Sequence, residues 1–197
     1  MKKKTAATTA QPKNAIDLLE AQHREVEQLF EEFESATEDD GDFEEASAIA
    51  MSVCEKLTLH ATIEEEIFYP AAQGEETEDL LAESAVEHVS AKRLIADILA
   101  VGDDGKQLKA MMTVLQEQIE HHVEEEEETL FVQAEELLSA EELVDLAGQM
   151  QERLDELKAE GEGAVTATAD DSVDANESEL TVAPAPRKNS SRPSRSA

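Results

Sequence analysis

The chain has 197 residues, 48 of them acidic and 16 basic, for a formal net charge of −32. That balance excludes nucleic acid as a partner, because binding phosphates needs a basic face, and it repels anionic membrane surfaces while concentrating cations. A single cysteine, Cys54, rules out an internal disulfide; there is no apolar run of about 18 residues and no apolar segment behind the opening MKKKTAATTAQPKN, so the expectation is a cytoplasmic protein without a membrane span.

Residues 1–13 read as a disordered N-terminus. Asn14, with Asp17 three residues on, opens a first helix with the stripe Ile16, Leu19, His23, Val26, Phe30 and Phe33. After TEDDG, Asp42 and Glu45 open a second, with Ala46, Ala50, Val53, Leu57, His60, Glu64, Ile67 and Ala71 on one face. QGEE and Thr77 precede a third, striped by Leu81, Ala85, His88, Lys92, Ile95 and Leu99 and stopped near Gly102. Asp104, in GDDG, opens a fourth, with Leu108, Met112, Leu115, Ile119, His122, Glu126 and Leu130. Ser139 and Glu142 form a capping box for a fifth, whose Leu143, Leu146, Met150, Leu154 and Leu157 pack outside the others or join subunits. From Gly161 to Ala197 the chain is rich in Ser, Thr, Ala, Pro and charge, which predicts a disordered tail. Short connections make consecutive helices antiparallel neighbours. The expected fold is all-α: an up-down-up-down four-helix bundle over residues 14–135 and an additional helix over 139–160, in one domain spanning 14–160.

Each of the four stripes carries one histidine where an apolar residue belongs. One histidine on an apolar face is more often a core residue than a ligand. Four of them, one per helix and at compatible heights, point to a shared site. Glu64 and Glu126 follow His60 and His122 by one turn, so each His–Glu pair projects from one face. A bare carboxylate in a core costs several kcal/mol unless it is paired or bound to metal, and Lys92 is the one base on these stripes. An internal repeat selects the register: HATIEEEIFYP from His60 aligns with HVEEEEETLFV from His122, laying Glu64 on Glu126 and FY on LF. His121 then falls on a mostly polar row with Val114, Gln118, Glu125 and Glu128. Four imidazoles and two carboxylates suit two metal ions bridged by the carboxylates. That mixture favours iron over zinc, with manganese fitting almost as well. Cys54 reads as a small packed hydrophobe.

The constellation resembles the hemerythrin-like HHE cation-binding domain of bacterial type: a histidine in helix 1, HATIEEEIFYP in helix 2, EHVSAK in helix 3 and HHVEEEEETLF in helix 4. The resemblance implies a four-helix bundle holding two non-haem irons, carboxylate- or oxo-bridged. Carried over by position, it implies His23, His60, His88 and His122 as terminal ligands and Glu64 and Glu126 as bridges. The family's oxygen carriers have a fifth histidine where this chain has Lys92; some relatives have a carboxylate at Ala61 and many a proline at Val132. These departures argue against reversible oxygen transport and imply an open coordination position, to be filled by water, Glu65, Tyr69 or nothing. The expected function is binding or sensing of oxygen or a related small molecule, peroxide or nitric oxide. An enzyme acting on peroxide or nitric oxide, or an iron store, is the alternative.

Overall fold

In a computed structural model the described residues are 12–38 and 42–169, with side chains described through Glu160. The chain divides into two units after Gly161, and the helical bundle and its site belong to the first. Among the described residues every regular element is a helix: α1 (Ala15–Ala36), α2 (Phe43–Ile63), α3 (Tyr69–Ala71), α4 (Glu78–Leu99), α5 (Gly105–Glu125), α6 (Phe131–Leu137) and α7 (Ala140–Ala169). Two π-helical turns, Glu64–Phe68 and Glu126–Leu130, join α2 to α3 and α5 to α6. There are thus five rods, four of them the antiparallel bundle expected from the sequence. No described helix is long and apolar enough to cross a membrane.

The starts form where the sequence places them. Asn14 accepts from the Asp17 amide and Asp104 from that of Gln107. Asp42 caps through the Glu44 amide. Ser139 and Glu142 exchange bonds reciprocally, as a capping box should. Thr77 differs: its hydroxyl does not cap α4 but donates to the Ala72 carbonyl and accepts from the Gly74 amide, closing the preceding turn. Gly102 has a φ of +64°, the left-handed conformation that glycine adopts without a Cβ clash.

Two stretches depart from the expected stripes. On α2 and α3 the stripe was expected to continue through Ile67 and Ala71; the buried residues are Phe68, Tyr69 and Ala72 instead. The cause is the π turn, which inserts one extra residue per turn and advances the inward face by one position. On α4 the inward row is Leu81, Ser84, His88, Ala91, Ile95 and Ile98, while Ala85 is exposed and Leu99 is 59% exposed. Threes and fours alternate in either order, and the small polar Ser84 gave no signal for choosing.

The core lies in two clusters. One, built on Phe30, Phe33, Val53, Leu57, Met112 and Leu115, fills the end nearer the α1–α2 turn. The other joins Leu19, Ile63, Phe68, Leu130 and Phe131 to Leu143, Leu146, Met150 and Leu154. The fifth rod therefore packs against the bundle, and Arg153 ties it to Glu66. Its backbone continues to Ala169, past the expected end at residue 160. The tails expected to be disordered, residues 1–13 and 161–197, lie largely outside the described residues. Cys54 is buried and its thiol pushed up to about 11 by burial, in keeping with packing.

Candidate metal centre

The four histidines and two glutamates converge between the clusters, all buried, Glu64 at 0% and Glu126 at 1% exposure. The imidazoles meet in two pairs. His23 Nε2 and His60 Nε2 are 3.1 Å apart, and so are His88 Nε2 and His122 Nε2. Glu64 stands between the pairs, Oε1 3.0 Å from His60 Nε2 and Oε2 3.4 Å from His88 Nε2. Glu126 spans them from its own helix, Oε2 3.4 Å from His23 Nε2 and 3.6 Å from His122 Nε2. Its Oε1 accepts a hydrogen bond from the Tyr69 hydroxyl at 2.8 Å. All six candidate side chains named from the sequence are thus brought together.

The outward nitrogen of each ring has its own acceptor. Nδ1 of His23 bonds Glu127 (2.8 Å), that of His60 bonds Gln22 (2.8 Å), that of His88 bonds Glu65 (2.9 Å) and that of His122 bonds Glu87 (2.8 Å). Carboxylate and amide oxygens only accept here, so each Nδ1 carries the proton. In a neutral ring Nε2 is then a lone pair aimed inward, the arrangement characteristic of metal-binding histidine.

The interior is thereby rich in lone pairs and short of hydrogen-bond donors for them. Both oxygens of Glu64 and Oε2 of Glu126 lie sealed from solvent without a hydrogen bond. Leaving such oxygens bare costs several kcal/mol. Two facing pairs of nitrogen lone pairs at 3.1 Å add repulsion. Positive charge relieves both problems. His23, His60, Glu64 and Glu126 offer ligand atoms within 4.8 Å of one another, and so do Glu64, His88 and His122. The residues present therefore fit two cations. Without metal, protons take their place. Burial lowers the affinity of His122 for a proton, but its bond to Glu87 and the charges of Glu126 and Glu64 outweigh burial and raise it to about 9. His23 is raised for the same reasons, chiefly through Glu126. Burial pushes Glu64 up, but His60 and His88 outweigh it and hold the carboxyl well below its ordinary range.

Beside the rings lies a cavity of about 30 Å³, lined by the four histidines, by apolar groups that include Val26, Leu57, Ala91 and Ile95, and by Ala61 and Lys92. It has room for a few atoms only, since one water needs about 10–15 Å³ on this measure. The two positions that depart from relatives, Ala61 and Lys92, both border it. Val132 is 50% exposed. Glu65 is no inner donor: it is held between His88 Nδ1 and the Lys92 ammonium at 2.6–2.7 Å. Tyr69, one of the groups offered for the open coordination position, stacks on His88 with ring centres 5.5 Å apart. Burial and the two carboxylates raise its hydroxyl far above the ordinary value, so it stays a proton donor to Glu126. His121 is exposed (59%), 3.6 Å from Glu125 and 3.8 Å from Glu87.

Sequence reasoning passed over Gln22, Glu87 and Glu127, and it offered Glu65 a different role. A local signal was present: Gln22 and Glu87 immediately precede a site histidine, and Glu65 and Glu127 immediately follow a site glutamate. Each serves a ring on another helix, which sequence spacing does not reveal.

The model of the hemerythrin HHE cation binding domain matches residues 14–134. A crystal structure of a hemerythrin HHE cation binding domain-containing protein from Mycobacterium kansasii superposes with a TM-score of 0.63 at 19% identity, over 80% of this chain and 93% of that one. It shares the fold. A DNA nickase from Nostoc sp. (strain PCC 7120 / SAG 25.82 / UTEX 2576) is 28% identical over 137 residues, which are 70% of this chain and 38% of that protein. The family match covers the four rods that carry the His–Glu constellation, and the chain belongs to the hemerythrin HHE cation binding domain family.

Proposed function

We propose that the chain holds two iron ions and uses them to bind or sense a small ligand: oxygen, peroxide or nitric oxide. One observation carries the reading: four buried imidazoles aim Nε2 at two buried carboxylates whose oxygens are short of other partners. His23 and His60 hold one ion, His88 and His122 the other, with Glu64 and Glu126 between them. Mixed imidazole and carboxylate donors favour iron over zinc, and manganese is the alternative. Iron so held supplies electron transfer to, or binding of, a small oxidant. The protein's own part is to fix the rings through their Nδ1 partners, to hold Glu126 by the Tyr69 hydroxyl, and to keep bulk water out with a cavity of about 30 Å³. That volume fits a diatomic molecule or peroxide and excludes larger substrates.

The nicking activity named for the Nostoc relative is not carried over. This chain spans 38% of that protein, and its net charge of −32 opposes binding of a polyphosphate.

The test is iron-replete expression, purification without chelators, and near-ultraviolet and visible spectra before and after oxygen, peroxide or nitric oxide. About two irons per chain and a spectral change with one ligand support the reading, as His and carboxylate donors predict. Sustained peroxide consumption would make the protein an enzyme instead, and a larger iron load would make it a store. A spectrum indifferent to all three ligands rejects ligand binding.

A further inference from the structure

The two helical hairpins, α1–α3 and α4–α6, contribute matching sets of residues: His23 matches His88, His60 matches His122, Glu64 matches Glu126 and Glu65 matches Glu127. The pairing extends to contacts. Glu65 backs His88 across the site while Glu127 backs His23. Each of these carboxylates is balanced by a cation, Lys92 on Glu65 and Arg24 on Glu127. The match fails at the partners of the remaining two rings. His60 is backed by Gln22, a neutral amide, and His122 by Glu87, a carboxylate. Among the described residues no lysine or arginine pairs with Glu87; its other oxygen lies 3.8 Å from His121.

We propose that Gln22 and Glu87 make the two metal positions unequal, so that the ion between His88 and His122 is held more tightly than the ion between His23 and His60. The inference rests on the two-ion reading above. An imidazole whose Nδ1–H is shared with an unbalanced carboxylate gains electron density at Nε2 and binds a cation more strongly. One whose Nδ1–H meets an amide gains little. Changes in such outer partners alter metal affinity about 10–100-fold. The inner donors lean slightly the other way, since Glu126 groups with His23, His60 and Glu64 and not with His88 and His122. Glu64 gives one oxygen to each pair. Glu126 Oε2 is 0.2 Å nearer His23 than His122 (3.4 against 3.6 Å), a difference that an ordinary side-chain turn removes. A full formal charge on Glu87 is not removed by a turn. Gln22 and Glu87 act through the rings they hold and are positioning residues.

The experiment is chelator-driven iron release from the full-length loaded protein, followed alongside its Mössbauer spectrum. The wild type is expected to release iron in two steps with rates about 10–100-fold apart, and to show two distinct iron signals. Glu87→Gln keeps an acceptor on His122 and removes the charge. It should accelerate the slow step toward the fast one and bring the two signals together. Gln22→Glu should slow the fast step. The double variant exchanges the partners and should restore two separate steps, which a merely structural defect would not do. Two irons leaving in one step from the wild type, or variants that shift neither step nor signal, overturn the inference and leave the two-ion reading standing. A protein that never holds two irons overturns that reading and this inference with it.

Discussion

The two hairpins arrive at one site by different sequences. In the first, His23 and His60 are 37 residues apart; in the second, His88 and His122 are 34 apart. The turns between them share a DDG, at 39–41 and 103–105, but set the two histidines at different spacings. Yet both second rods place a glutamate four residues after the histidine, and both start a π turn on that glutamate. In each the amide five residues on, of Tyr69 or Phe131, donates to the glutamate carbonyl. The widened turn brings that aromatic ring inward to stack on the opposite hairpin's first histidine for Tyr69 on His88, and on the equivalent His23 for Phe131. Loop length and surface differ between the hairpins; the five-residue span from glutamate to aromatic does not. π turns are rare and concentrate at functional sites, and here both occur at the carboxylates that face the histidines. The hairpins differ where chemistry differs. Tyr69 brings a hydroxyl to Glu126, and Phe131 has none to give Glu64.

Removing the metal should disturb both hairpins at once and have the largest effect. Glu64 and Glu126 then lie buried with little but protonated imidazoles to oppose them, and metal binding contributes directly to folding. The melting temperature of verified metal-free protein should fall by several degrees, since about 1 kcal/mol moves it 2–8 °C depending on size. An unchanged melting curve would contradict a buried site.

Making the hairpins alike should have a smaller effect. Tyr69→Phe leaves Glu126 Oε1 without its donor, and an unmade bond to a buried acceptor costs about 1–3 kcal/mol. The reciprocal change, Phe131→Tyr, adds a hydroxyl beside His23. Denaturant unfolding of the metal-loaded proteins should rank wild type above Tyr69→Phe. Equal midpoints would show that the hydroxyl bears no weight.

The metal-free protein should also respond to pH. His122 is raised to about 9 from an ordinary 6.5, and His23 is raised too. A group with a raised folded value gives its full stabilisation below its unfolded value and loses it as pH climbs through the folded one. Stability of the metal-free form should therefore decline between about pH 6.5 and 9. Glu64, held low, works at the other end: its contribution is present above its ordinary 4.5 and lost as pH falls below it. Loaded protein should hold steady across the alkaline range, because a cation needs the rings deprotonated. Parallel pH profiles with and without metal would break the account.

How much of this was legible beforehand depends on what each feature rests on. The rods, four of the five expected caps and the six inward side chains follow from cap residues, periodicity and the repeat of His60–Tyr69 in His122–Phe131, while Thr77 does not cap α4. Periodicity failed where the helix itself changes pitch: Ile67 and Ala71 were expected inside, and the π turn puts Phe68 and Ala72 there. It also failed on α4, where Ala85 and Ser84 are equally small and only packing against the other rods decides between them. The Nδ1 partners were invisible because each bond crosses between helices, over sequence separations from 23 residues for Glu65 and His88 to 104 for His23 and Glu127. Tyr69 was legible as an aromatic and not as a donor, since its target, Glu126, is 57 residues away.

The smallest expected effects lie on the acidic run of the second hairpin, and they set the decisive contrast. His121 and His122 are neighbours in sequence and about 100° apart round the helix, one exposed and one buried. The most direct measurement is the iron content and ferric spectrum of His121→Ala, Glu125→Gln and Glu128→Gln beside His122→Ala and Glu126→Gln. The first three should keep the wild-type stoichiometry and spectrum. His122→Ala should lose one iron or the pair, and Glu126→Gln should damage the site, because it removes the anionic charge of Oε2, which faces both His23 and His122. If His121→Ala and Glu125→Gln lose iron while His122→Ala and Glu126→Gln retain it, the inward face of this helix is not the metal-binding face and the central claim fails.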